Sequence, residues 1–285
     1  DFFWPTLTYL GTYLHRHGYT FDYVNLFQQE KELLREKLLR EDILTVAITT
    51  TLYVSIHPIL EIIQFIREHN QTARIIVGGP YVANQCSTED MSSVAQVFEY
   101  MGADFYVINS EGETALLDIL SCLKKNGDRR QVHNIAFKEK GSYVSTQRSI
   151  ETNPLEEHMV DYSLFPAAVH GEFTTLRTAK SCPFSCSFCG FPQRAGKYKY
   201  LSVDLVEREL DAIREIGGVT TLTFIDDTFN VPKARFKDLL RMMIRNDYNF
   251  KWNSFYRSDH GDEEAIELMA AAGCEGVFLG VESGS

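Results

Sequence analysis

The run Cys182-Pro183-Phe184-Ser185-Cys186-Ser187-Phe188-Cys189-Gly190 contains the residues whose types and spacing most directly imply chemistry. Gaps of four and then three residues let one loop wrap a single metal ion or inorganic cluster with three thiolates. A fourth coordination position stays open. The other cysteines, Cys86, Cys122 and Cys274, are scattered; Cys122 falls in an apolar helical run and Cys274 at the start of an apolar strand, so both read as core residues. A structural zinc site or an electron-transfer cluster wants four protein ligands, whereas an iron held by three leaves a position for substrate. A zinc loop completed by a distant His or Cys, and a coincidental trio of cysteines, are the alternatives that these residues leave open.

The elements that must position the loop follow from hydrophobic periodicity. Phe173–Ala179 alternates as a strand leading into the cysteines. Ser202 caps a helix whose Val203, Val206, Leu210 and Ile213 share a face, and Gly217-Gly218 ends it. Thr221–Ile225 is a strand closing at Asp226-Asp227-Thr228-Phe229-Asn230, and Pro232 starts the next helix. Phe250–Tyr256 is a strand ending at Arg257-Ser258-Asp259; a helix over 262–272 and a strand over 276–281 follow. These β-α steps imply the start of a parallel barrel, whose chemistry sits at the carboxyl ends of its strands. The cysteines, Asp226, Asp227, Arg257 and Glu282 all fall at such ends. For the paired aspartates, a helix N-terminal charge or a salt bridge is the alternative.

The first half alternates in the same way. A helix over 6–17 stopped by Gly18, a strand over 20–26 and a charge-rich helix over 29–42 precede apolar strands over 43–49, 73–77 and 104–108. A helix over 57–70 lies between, which implies a parallel α/β sheet with ligands at the strands' carboxyl edge. Gly78-Gly79 reads as a close approach for a flat ligand or as a tight turn, and Ser110 with Glu113 has the spacing of a capping box. Residues 134–138 and 142–146 form a hairpin about Gly141, and a strap over 153–166 follows. The expected organisation is therefore a domain over 1–125, a join over 126–168 and a partial barrel over 169–285.

Composition narrows the partners. The 285 residues carry 28 basic against 39 acidic side chains, a formal charge of −11 that disfavours nucleic acid. There is no apolar run of roughly 18 residues and no signal-peptide pattern, so the expectation is a cytoplasmic protein with no membrane partner. A cluster of free thiolates fits a reducing compartment better than a disulfide framework.

The cysteine spacing, Phe188, the following Gly190-Phe191 and the strand pattern together resemble the radical S-adenosylmethionine (SAM) superfamily. The resemblance implies a [4Fe-4S] cluster on Cys182, Cys186 and Cys189 whose open iron chelates SAM and donates one electron to cleave it. It places Phe188 against the adenine and Asp226, Asp227, Arg257 and Glu282 around the rest of SAM. Pro5–Leu10, the Thr-rich exit from the second strand, Val77-Gly78-Gly79-Pro80 and Ser110–Thr114 look like the cobalamin-binding domain that precedes many such barrels. Thr50, Ser55, Gly78, Gly79, Glu111 and Gly112 are the contacts that likeness implies. The Asp-x-His-x-x-Gly motif of histidine-ligated cobalamin is absent, leaving the loop Leu52–Ser55 as the candidate cover for the lower face.

The implied fold is an α/β chain with a Rossmann-like cobalamin-binding domain followed by a partial (β/α) radical SAM barrel, truncated at both ends. The implied activity is transfer of a methyl group from SAM, via methylcobalamin, to a small natural-product precursor. The run Thr178–Pro192 with Phe224–Asn230 looks most like the P-methyltransferases of phosphinate antibiotic biosynthesis, so the acceptor is expected to be phosphinate phosphorus or carbon. An electron donor such as flavodoxin or ferredoxin is the implied protein partner. The other readings are a cobalamin-binding radical SAM cyclase or rearrangement enzyme, and a non-catalytic cofactor-binding module.

Overall fold

The computed structural model describes residues 3–40, 42–88, 90–166 and 169–281. The expected contact Glu282 lies outside them. Two compact units divide the chain, Leu14–Asn153 and Asp1–Tyr13 with Pro154–Ser285. Among the described residues no helix is long and apolar enough to cross a membrane.

Helix α1 (Pro5–Arg16) opens the described chain and buries Thr8, Gly11, Thr12 and Tyr13. In the unit over 14–153, α2 (Lys31–Leu38), β1 (Thr45–Thr49), α3 (His57–His69), β2 (Arg74–Gly78), α4 (Pro80–Thr88), α5 (Met91–Met101), β3 (Phe105–Val107) and α6 (Glu113–Lys125) follow in order. Two more strands, β4 (Ile135–Glu139) and β5 (Ser142–Ser145), complete a sheet of order β1-β2-β3-β4-β5. The first three strands are parallel, with Thr49 opposite Gly78 and Val77 opposite Tyr106, so their carboxyl ends share one edge.

Its α3 is amphipathic at helical spacing, burying Ile59, Ile62, Ile63 and Ile66 against Ile75, Val77, Phe98 and Tyr106. Phe98 and Tyr106 stack at 3.8 Å, and the Tyr106 hydroxyl donates to the Phe98 carbonyl at 2.9 Å. Each fully buried large apolar side chain is worth about 1.5–3 kcal/mol. Exposed pairs such as Lys31–Glu61 are screened by solvent and add little, so the core decides.

Three sequence expectations change here. Residues 20–26 form no strand: the backbone N–H groups of Asn25 and Leu26 donate to the Glu30 carboxylate at 2.6 and 3.2 Å, and Val24 packs on the core instead. The charge-rich helix shortens to Lys31–Leu38, whose buried side chains are Leu34 and Leu38. The hairpin assigned to the join is part of the sheet, because β4 pairs antiparallel with β3.

In the other unit, β6 (Phe173–Leu176), β7 (Ala179–Lys180), α7 (Phe191–Ala195) and β8 (Lys199–Tyr200) precede α8 (Val203–Ile216), β9 (Thr221–Phe224) and α9 (Lys233–Arg245). Then come β10 (Lys251–Tyr256), α10 (Glu263–Ala271) and β11 (Cys274–Leu279). The sheet order β11-β10-β9-β6 is parallel throughout, as the run of β-α steps requires. Leu222, Phe224 and Trp252 are buried on one face of the sheet, and the Trp252 indole N–H donates to the Ala272 carbonyl at 2.9 Å. Phe224 stacks on Phe229 at 4.1 Å, with Phe236 and Trp252 edge-on to Phe229. This aromatic cluster supports the loop after β9 from below.

Candidate active site

Every described residue expected around the cluster lies at the carboxyl ends of β6, β9 and β10. The chain leaves β6, forms β7, makes the excursion 181–198 and returns through β8, which pairs antiparallel with β7. Both ends of the cysteine loop are thereby clamped together. Ser181 starts the excursion at φ +66°, with its hydroxyl donating to the Gly196 carbonyl at 2.8 Å. Inside it, the Cys189 N–H donates to the Cys186 carbonyl at 3.0 Å, a tight turn that puts two of the sulfurs on one bend. None of the three cysteines is joined in a disulfide, and all are partly exposed. Among the described residues no three His, Cys, Asp or Glu side chains close into a metal-holding cage. The loop offers donors on a fixed base.

Two sulfurs meet neighbours from other strand ends. The Thr228 hydroxyl is 3.9 Å from Cys182 Sγ, and Arg257 Nη1 is 3.6 Å from Cys186 Sγ. Arg257 is held in a fork by Asp259 at 2.7 and 3.0 Å and stacks over the Phe184 ring at 3.9 Å. Its backbone N–H donates to Asn230 Oδ1 at 2.9 Å, while Asn230 Nδ2 donates back to the Arg257 carbonyl at 2.8 Å. Asn230 is fully buried, so this reciprocal pair ties the loop after β9 to the end of β10. A guanidinium beside a thiolate cluster offsets its negative charge, which fits the expected donor set. Arg257, expected around SAM, sits at the end of β10 against the Cys186 sulfur.

The paired aspartates separate. Asp227 is exposed at the strand ends, yet its carboxyl is pushed up to about 6 by the surrounding protein and by the neighbouring Asp226 charge. It remains a candidate for a cationic ligand group, as the exposed Phe188, at 67%, remains one for a flat ring. Asp226, expected on SAM, is 1% exposed, and its carboxylate is engaged within the protein. Asp226 Oδ1 accepts from the Thr178 and Ala179 N–H groups at 2.6 and 2.8 Å, and Oδ2 accepts from the Thr178 hydroxyl. Burial pushes its carboxyl up, against those hydrogen bonds and the Arg235 charge.

Sequence reasoning missed several of these partners. Thr228 and Asn230 stand in the Asp-Asp-Thr-Phe-Asn run, where small polar residues beside paired aspartates were the available signal. Arg177, directly after β6, places its guanidinium over the Tyr9 ring at 4.6 Å and donates to His158 Nδ1 at 2.9 Å. Its backbone N–H donates to the Tyr9 hydroxyl at 3.0 Å, which burial pushes well up. Nothing local in the sequence links residues so far apart.

At the carboxyl edge of the sheet over 14–153, Thr50 is fully buried and was expected on a cofactor. Its hydroxyl donates to the Gly78 carbonyl at 2.9 Å and accepts from the Tyr81 N–H at 3.1 Å, so it joins β1 to β2 instead. Gly79 has φ +103°, and a Cβ there would lie 2.9 Å from Thr50 Oγ1; one on Gly112 would lie 2.8 Å from Val107 Cγ1. These glycines are demanded by the fold itself. A Cβ on Gly78 would also meet Val107, at 3.2 Å. Ser55 and the neighbouring Leu52 and Val54 are exposed, Val54 at 97%, and Glu111 is half-buried. The expected capping box is replaced: the Thr114 and Ala115 N–H groups at the start of α6 donate to the buried Glu151 carboxylate at 2.9 and 3.3 Å.

With the strands, the three-cysteine loop and the charged strand ends in place, residues 176–285 match the model of the radical SAM superfamily. Over more of its length the chain is similar to an uncharacterized methyltransferase of Pyrococcus horikoshii, 24% identical over 257 residues that cover 86% of this chain and 52% of the relative. It is also similar to the anaerobic magnesium-protoporphyrin IX monomethyl ester cyclase of Cereibacter sphaeroides, 24% identical over an alignment of 303 positions, gaps included, that covers 98% of this chain and 47% of the cyclase. The fold resembles that of the radical SAM methyltransferase TsrM from Kitasatospora setae, solved with tryptophan substrate and a SAM analogue, with TM-score 0.76 and 21% identity over 99% of this chain and 57% of that one. It likewise resembles the cobalamin-dependent SAM radical enzyme OxsB, solved with aqua-cobalamin and SAM, with TM-score 0.77 and 20% identity over all of this chain and 42% of that one. The chain spans about half the length of the curated relatives it matches.

Proposed function

We propose that this chain is the cofactor-binding part of a cobalamin-dependent radical SAM methyltransferase acting on phosphinate phosphorus or unactivated carbon of a small natural-product precursor. The observation that carries the reading is the cysteine loop after β6, its sulfurs partly exposed and outside any disulfide, with Arg257 against Cys186 Sγ. When bound there, a [4Fe-4S] cluster would supply the electron that cleaves SAM, and cobalamin would supply a carrier for its methyl group. Cys182, Cys186 and Cys189 would hold the cluster. Arg257 balances sulfur charge, Asp227 meets the SAM amino group, and the exposed Phe188 lies against its adenine. Exposed Leu52 and Val54, with Ser55 and Glu111, fit the rim of a large flat ligand with apolar faces. A flavodoxin or ferredoxin in the cytoplasm is the electron donor this reading needs.

The similarity to a cyclase across nearly the whole chain favours a second reading, cyclisation or rearrangement without methyl transfer. One experiment separates the two. The protein is reconstituted anaerobically with iron, sulfide and reduced cobalamin, given SAM deuterated in its methyl group, and the cobalamin is recovered for mass spectrometry. Methyltransferase action predicts labelled methylcobalamin. Unlabelled cobalamin alongside 5′-deoxyadenosine would favour the cyclase reading.

A further inference from the structure

We propose that Asp226 is a positioning residue: together with Arg235 it fixes the base of the cysteine loop through Thr178, and so places Cys182 for the cluster. This assignment rests on the cluster reading above. It differs from the expected contact with SAM.

The geometry around Thr178 carries the inference. Thr178 is fully buried two residues after β6, where the chain must turn out of the sheet toward Cys182. The Asp226 carboxylate captures the Thr178 and Ala179 N–H groups and the Thr178 hydroxyl, three donors on two oxygens. From α9, Arg235 Nη2 donates to the Thr178 hydroxyl at 2.9 Å and to its carbonyl at 3.2 Å. Arg235 Nε donates to the Leu201 carbonyl at 2.8 Å, and the Leu201 N–H donates to the Thr178 carbonyl at 2.9 Å. Residues 178 and 201 are the two stems of the excursion that carries all three cysteines. One buried carboxylate and one buried guanidinium therefore hold both stems, joining the end of β9 to the start of α9. Arg235 also packs over the Tyr200 ring at 5.0 Å, which fixes the β8 side.

This arrangement favours positioning over ligand binding on chemical grounds. A carboxylate that accepts three internal donors, two of them backbone amides, has to break them to reach a ligand. Hydrogen bonds to a buried charged group are among the costliest to lose. Asp227, one residue on and exposed, has no such cost. The two aspartates thus divide the work, the first holding the loop and the second facing solvent at its mouth.

The test uses the full chain carrying Asp226→Asn, Thr178→Val or, as a control for lost stability alone, Leu240→Ala in the core under α9. Amide hydrogen exchange without iron is read first. Losing one charge-assisted bond should speed exchange across 178–201 by roughly tenfold or more in Asp226→Asn and less in Thr178→Val, with α8 and α9 still protected. Leu240→Ala should leave the loop no faster than the rest of the unit. After reconstitution, Asp226→Asn should hold several-fold less iron per chain and give an altered electron paramagnetic resonance signal. Wild-type exchange and wild-type iron in both loop variants would overturn the proposal. So would a normal cluster in Asp226→Asn with only SAM affinity lost, which would restore the direct contact. If Asp226→Asn does not fold, the result for Thr178→Val decides on the same readouts. Should the wild type take up no iron, the cluster reading fails, while the exchange data still judge the clamp.

Discussion

Removing one sulfur is the sharpest change at the residue scale. Cys186→Ala deletes both a proposed cluster ligand and the sulfur beside Arg257, so iron after reconstitution should fall at least tenfold while the fold, read by circular dichroism, is kept. Iron content equal to wild type would remove Cys186 from the ligand set. Arg257→Ala keeps every sulfur but withdraws a positive charge, so a bound cluster should become harder to reduce; a redox titration showing a higher potential would contradict this. Asp227 gives a pH signature. Its carboxyl is pushed up to about 6 in the folded protein by desolvation from the surrounding chain and by the Asp226 charge. The folded state thus binds this proton more tightly than the unfolded one. The group favours folding below its ordinary value of 3.8, and that contribution is lost as pH rises through 6. Asp227→Asn should gain stability relative to wild type above pH 6. SAM affinity, if Asp227 meets the amino group, should weaken as pH falls from 7.5 to 5 in wild type only; parallel curves for the variant would argue against that contact.

At the scale of elements, the glycines at the carboxyl edge of β2 and β3 separate fold from ligand. Gly79→Ala must place Cβ against Thr50 at a left-handed φ, costing about 1–2 kcal/mol in backbone conformation before the clash is counted. The apo protein should melt at lower temperature; an unchanged apo melt with weakened cobalamin binding would make Gly79 a ligand contact after all. Glu151→Ala strips two amides at the start of α6 of their acceptor, and the expected loss is about 2 kcal/mol in urea unfolding. Parallel strands and amphipathic helices were readable because their signal is local: β6 follows from alternation and α8 from helical spacing. The Glu151 cap was not, since its partners lie 36 and 37 positions away in sequence. The internal partners of Asp226 were hidden for the same reason. Its donors are on a strand end 47 and 48 residues earlier, and two adjacent aspartates look alike until burial distinguishes them. The stretch 20–26 misled because its apolar alternation packs on the core without pairing to a strand.

For the whole molecule, the central claim is that three sulfurs of one loop hold a cluster with an iron left open for SAM. The motif already implied this, and the fold adds the clamped stems, the Thr228 and Arg257 neighbours and the exposed Asp227 and Phe188. The most direct measurement is electron paramagnetic resonance of the anaerobically reconstituted, dithionite-reduced protein before and after addition of SAM. The prediction is a [4Fe-4S] signal whose g-values move when SAM is added, and its loss in Cys186→Ala. A signal indifferent to SAM, or a protein that retains zinc and no iron, would contradict it.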